Sequence, residues 1–93
     1  MSTLDSKISI PNDLLSTEVD NEMVLLNPAS GKYYSLDDVG TRMWQLMAEH
    51  GQLKSVHQAL LEEYTVDPEQ LEHDLLDLTD KLAANGLLQI VES

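Results

Sequence analysis

The chain changes its hydrophobic period once, at Leu36, and that change limits its fold more than any other feature. Before Leu36 the apolar residues lie in short runs rich in β-formers and separated by turn-prone residues. After it they recur at the three- and four-residue spacing of amphipathic helices. "LLSTEV" and "EMVLL" flank "DN", a pair suited to a hairpin tip, which predicts strands over Leu14–Val19 and Met23–Leu26. "NPASG" concentrates turn residues and marks a second reversal before a third strand, Lys32–Leu36. Three such strands in succession form an antiparallel meander.

The helical part carries its own punctuation. Asp37 or Asp38 can cap a first helix, although Gly40 weakens its start. Met43, Leu46 and Met47 share a face of this helix with Trp44 on its flank, and Gly51 stops it. Ser55 with Gln58 three residues on has the form of a capping box for a second helix, buried through Val56, Ala59 and Leu60 and ending near Tyr64. Asp67, Pro68 and Gln70 together start a third helix that should reach about Asn85, with Gly86 as its stop. "LLQIV" then reads as a short extended piece able to return to the sheet. The expected fold class is therefore α+β: a three-stranded antiparallel sheet followed by three helices, winged-helix-like although the strands come first. Residues 1–11, polar and ending at Pro11, read as a flexible N-terminal arm, and residues 12–93 as a single domain.

Composition excludes several functions. Without cysteine there is no disulfide framework, thiolate metal site or thiol nucleophile. No apolar run approaches the roughly 18 residues of a membrane span, and "MSTLDSKISIPNDLL" lacks the regions of a signal peptide, so a cytoplasmic protein is expected. Seventeen acidic against five basic residues give a net charge of -12, a field that repels phosphate backbones and argues against nucleic acid as a partner. Most of that charge is accounted for as a solubilising surface. His50, His57 and His73 have no metal-motif spacing, and His73 with Asp77 offers at most two ligands, so no metal is expected. Asp74 has no nucleophile or second catalytic group placed by spacing, and reads as a partner of Lys81 or a hydrogen-bond acceptor. No phosphate-cradling glycine loop occurs, and neither Ser35 nor Ser6 has the setting of a phosphopantetheine serine.

Two elements stand out. On the third helix Leu71, Leu75, Leu78 and Leu82 form a narrow apolar stripe flanked by Asp74 and Lys81 on one side and by Glu72 and Thr79 on the other. Leu76 points away from it, toward another helix or an open groove. On the third strand Tyr34 and Leu36 share one face and Tyr33 and Ser35 the other. In a simple meander that strand is an edge, with backbone groups free to pair with a visiting strand.

"MVLLNPASGKYYSLDDVGTRMWQLM" and "DLLDLTDKLAANGLLQI", with "VHQALLEEY" between them, resemble the PqqD-like family of small peptide chaperones, also called RiPP recognition elements, over about Leu14–Val91. RiPPs are ribosomally made, post-translationally modified peptides. The resemblance implies a non-enzymatic domain, without cofactor, that binds the leader of a precursor peptide as an added strand in a groove walled by the third helix. Matched by position, Tyr33, Tyr34, Ser35 and Leu36 correspond to the receiving strand, and Leu71, Asp74, Leu75, Leu78 and Thr79 to the facing helix. The form "NPASGKYYSLDDVG" is nearer to the stand-alone elements of lasso peptide biosynthesis, which deliver the leader to a separate leader peptidase. Delivery to a radical-SAM enzyme, as in pyrroloquinoline quinone biosynthesis, is the alternative. Thr79 departs from the family, where an apolar residue is commoner, as does the acidic surface. The rivals from other classes are a winged-helix transcription regulator, whose recognition helix would carry six acids before Lys81, and a subunit that only scaffolds an enzyme. A monomer is expected, or a weak dimer formed through the open strand.

Overall fold

The structure, a computed structural model, describes residues 2–91. Its elements are β1 (Lys7–Ser9), β2 (Leu15–Val19), β3 (Glu22–Leu26), β4 (Tyr33–Leu36), α1 (Asp38–His50), α2 (Leu53–Glu63), α3 (Pro68–Ala84) and β5 (Gln89–Val91). The architecture is the expected α+β one, an antiparallel β2-β3-β4 meander followed by three helices.

The turn at Asp20–Asn21 holds both residues at positive φ (52° and 67°), which suits the right-handed twist of a two-residue hairpin and is tolerated best by glycine, Asn and Asp. The β3–β4 loop is organised by Asn27, whose carboxamide oxygen accepts from the Ala29 N–H at 3.0 Å. Its amide Nδ2 donates to the Gly86 carbonyl at 2.8 Å, so one side chain ties this loop to the stop of α3. Strand alternation sends Met23, Leu25 and Leu36 into the core and leaves Leu15, Val19, Val24 and Tyr33 exposed on the outer face.

Each helix buries one stripe against the inner face of the sheet or against its neighbours. In α1 this stripe contains Met43, Trp44, Leu46 and Met47, and in α3 Leu71, Leu75, Leu78 and Leu82. Asp37 caps α1 by accepting the Gly40 N–H at 2.7 Å, and Asp67 caps α3 by accepting the Glu69 N–H at 3.1 Å. Gly40 serves this start despite its low helix propensity: a Cβ there would lie 3.1 Å from Asp37 Oδ1 and 3.4 Å from Leu36 Cδ2. Gly51 at φ 70° and Gly86 at φ 71° close α1 and α3 as expected.

Three expectations need correction. The arm at residues 1–11 contains β1, whose Ile8 is buried and whose backbone pairs with β5. The C-terminal extended piece accordingly joins β1 and not the meander. Helix α2 begins at Leu53 and not at Ser55, and its first turn is satisfied by tertiary structure: the Leu53 N–H donates to the Ser6 carbonyl at 3.2 Å, overriding the local capping-box pattern. Leu76 does not line the groove; it is partly buried against the core, and the N-terminal segment runs along the same turns of α3, where the Ser2 N–H donates to Asp80 at 2.9 Å and its hydroxyl to the Leu76 carbonyl at 3.3 Å.

A two-pronged ion pair joins α1 to the end of α2: Arg42 donates to both carboxylate oxygens of Glu63, at 2.7 and 2.6 Å. Hydrogen bonding to Arg42 holds the Glu63 carboxyl below its ordinary pKa of about 4.5. A carboxyl depressed by folding stabilises the protein above its unfolded-state pKa and loses that contribution as pH falls through the lower folded-state value. Glu63→Gln should therefore flatten the acid limb of a stability-against-pH curve below about 4.5 relative to the parent, measured by urea unfolding at low ionic strength.

Candidate functional site

The register of the meander decides which backbone groups are free. Val19 and Glu22 flank the two-residue turn as a hydrogen-bonded pair, so Glu22, Val24 and Leu26 turn their amides toward β2, and Met23 and Leu25 turn theirs toward β4. The next loop agrees, because the Asn27 N–H donates to the Lys32 carbonyl at 2.9 Å in the same register. It follows that Tyr34 and Leu36 use their backbone groups on β3, while Tyr33 and Ser35 direct theirs to the open edge. β4 is the edge of its sheet, as expected.

Beside that edge lies a groove of about 790 Å³. Tyr34, Ser35 and Leu36 form one wall and Gln70, Leu71, Asp74, Asp77, Leu78 and Lys81 the other. Val39, Gly40 and Met43 of α1 close it between them, and Tyr64, Val66 and Asp67 bound it at the start of α3. The size falls within the range of ordinary ligand sites. β4 and α3 run in opposite directions across it, since Asn27, near the start of β4, holds Gly86, beyond the end of α3.

Of the residues singled out in the sequence, the groove brings together Tyr34, Ser35, Leu36, Leu71, Asp74 and Leu78. Three lie elsewhere. Tyr33 projects from the outer face, 69% exposed. Leu75 and Thr79 are fully buried behind the helix wall, and the Thr79 hydroxyl satisfies itself by donating to the Leu75 carbonyl at 2.8 Å. A polar residue at this core position is thus accommodated within its own helix. Sequence reasoning missed the floor residues of α1 and the Tyr64–Val66 end; the signal available was two large apolar groups, Tyr64 and Val66, in a connection otherwise expected to be polar.

The polar lining is mostly acidic. Asp74 accepts from Gln70 Nε2 at 2.9 Å and does not pair with Lys81. Lys81 instead bridges Asp77, four residues back, at 2.9 Å, and that hydrogen bond is the main reason its ammonium is held above its ordinary pKa, with a further contribution from Tyr34. Both side chains of this pair are more than half exposed, so the bridge is solvated and weak. His57, buried between α2 and α3, lies 3.0 Å from the Pro68 carbonyl through Nε2 and serves to hold the two helices together. Among the described residues no three His, Asp or Glu side chains converge as metal ligands, and no helix is long and apolar enough to cross a membrane. The arrangement is suited to holding an extended segment: backbone groups along one wall, apolar floor below, carboxylates on the opposite rim.

Comparison with known proteins gives the same direction. Two solved structures share the fold. One is "TbiB1 in Complex with the TbiA(beta) Leader Peptide", 35% identical, with 91% of this chain and 99% of that chain covered at a TM-score of 0.82. Another is "Lasso peptide synthetase B1 complexed with the leader peptide", 28% identical, with 88% and 96% covered at a TM-score of 0.77. No curated protein matches the chain. The sequence profile of the family described as Coenzyme PQQ synthesis protein D (PqqD) matches residues 22–88, from the first residue of β3 to the segment before β5. That stretch contains both walls of the groove as well as most of the core, and on this basis the chain belongs to the PqqD family.

Proposed function

We propose that the protein is a non-enzymatic adaptor that captures the leader of a ribosomally made precursor peptide as an added strand on β4 and delivers it to a maturation enzyme. The observation that carries this reading is the pair of outward-facing backbones, Tyr33 and Ser35, beside an apolar groove. Strand addition draws general affinity from main-chain bonds and selectivity from side-chain pockets, and this edge offers both. The leader-bound state of the two similar structures supports the same use. The lasso peptide synthetase among them favours a leader peptidase as the recipient over a radical-SAM enzyme.

In this reading the recognition domain includes β1 together with the segment from residue 12 onward, acting in the cytoplasm, where precursors are made. Tyr34, Ser35, Leu36, Leu71, Asp74 and Leu78 touch the leader, Tyr33 contributes main-chain groups, and Leu75 and Thr79 support the wall from behind. An unoccupied β4 can pair weakly with a second copy, and a bound leader suppresses that dimer.

The test is a titration of the purified protein with a fluorescent synthetic leader taken from the short reading frame beside its gene, against a scrambled peptide of equal composition. Saturable binding of the leader alone is the expected outcome. Equal binding of both peptides, or of neither by a folded protein, would remove the reading. Delivery is checked separately, by whether the neighbouring peptidase cleaves the precursor faster when this protein is added.

A further inference from the structure

The apolar floor of the groove would accept many peptides, but its charges are unevenly placed. Four aspartates and one lysine line it: Asp37, Asp67, Asp74, Asp77 and Lys81. Among the described residues only Asp77 of these four has a cationic partner, Lys81. The hydrogen bonds to the other three come from uncharged groups, the Gly40 N–H to Asp37, the Glu69 N–H to Asp67 and the Gln70 amide to Asp74. Each carboxylate therefore keeps its charge uncompensated by a neighbouring cation. None of the three lies at the lysine end of the groove. Asp37 follows β4 and Asp67 precedes α3, and because β4 and α3 run oppositely these two positions share one end, with Asp74 midway along the helix wall. Lys81 stands at the other end, beside Tyr34.

From Asp67 to Lys81 the helix rises about 20 Å, the length of about six residues of extended chain, and an even number returns a strand's side chain to the same face. A peptide lying on β4 thus presents same-facing side chains both to the acidic end and to the lysine end. We infer that the groove selects leaders that carry a lysine or arginine at the position facing Asp67 and Asp74, so that charge, in addition to apolar fit, fixes the register in which the leader is bound. This rests on the strand-addition reading and specifies the chemistry of its ligand. The acids are the specificity element of an apolar groove and not a separate site. A basic residue also suits this place for steric reasons: the long aliphatic stem lies along Leu71 and Val66 while its head reaches the carboxylates.

The experiment is a charge scan of the same synthetic leader, with lysine and then glutamate placed at each position in turn and affinity measured at low and high salt. Lysine should bind about tenfold more tightly than glutamate at one or two same-facing positions, since the exchange replaces attraction by repulsion, and much less so elsewhere. The contrast should shrink at high salt. The double variant Asp67→Asn, Asp74→Asn should erase it at those positions; asparagine still caps a helix and still accepts the Gln70 hydrogen bond, so the wall is retained. Glu49→Gln, exposed on α1 away from the groove, should leave it intact. A lysine preference equal at every position would assign it to the general field of a chain with net charge -12 and overturn the inference. A positional preference that survives the double variant would overturn it as well. Failure of the unmodified leader to bind would instead remove strand addition itself, a result the scan separates from charge-independent binding.

Discussion

Ser35→Pro is expected to weaken leader binding by at least about tenfold while leaving the domain folded. The asymmetry comes from register. Ser35 faces Val24 across a pair that exchanges no hydrogen bonds, so its N–H is not part of the β3–β4 ladder and points to the open edge. Proline there removes the donor needed by an incoming strand and puts ring atoms in its path, yet breaks no existing bond of the sheet. The restriction proline imposes on its predecessor is extended geometry, which Tyr34 already has within β4. Tyr34→Pro is the informative contrast. Tyr34 exchanges bonds with Leu25, a fully buried core residue, and its loss should unfold the edge and destabilise the whole domain. Circular dichroism and denaturant unfolding check the fold, and the leader titration checks the edge. If Ser35→Pro remained folded and bound the leader as well as the parent, β4 would not be the receiving strand.

The second large effect separates lining from support on α3. Leu75 is fully buried and absent from the groove, whereas Leu71 and Leu78 line it with only 6% and 9% of their surface exposed. Leu75→Ala should cost about 2–5 kcal/mol of stability, the transfer term plus the cavity left behind. For a domain of this size that lowers Tm by about 10 °C or more. Affinity measured where the variant is still folded should stay close to the parent's. Leu71→Ala and Leu78→Ala should instead lose affinity together with some stability, because each removes both core packing and groove floor. A Leu75→Ala variant that is stable but cannot bind would mean that α3 sits differently in the complex.

The same distinction marks what could be read in the sequence. The leucine stripe was legible because all four leucines obey one helical period, but periodicity does not tell a fully buried position from one at the margin of a groove. Burial depends on what lies opposite, and for Leu71 and Leu78 the opposite side is the open space beside β4. Punctuation was read best where several local signals coincide, as in Asp67 and Pro68 at the start of α3 or the Asp20–Asn21 turn. It was read worst where a distant segment supplies the missing bond. Ser55 has the right neighbours for a cap, yet α2 starts earlier because Ser6 reaches Leu53. β1 has three residues and one buried apolar side chain, too little to register as a strand before its partner is known. Of the two readings open for Asp74, hydrogen-bond acceptor is the one that holds, and Lys81 pairs with Asp77 for a nearer reason: Asp77 lies one turn away and Asp74 two, and one turn is the reach of a helical side-chain pair.

The pairing of β1 with β5 bears on the order of assembly. The meander and the α1–α2 connection join near neighbours in sequence, whereas Lys7 and Val91 belong to opposite ends of the described chain. Closing so long a loop yields only a short ladder for its entropy, which places it late in folding, after the core has already brought the two strands together. On the ribosome the consequence is a wait. The segment that completes the first turn of α2 is made before that helix, but its ladder with β5 cannot form until Val91 has emerged.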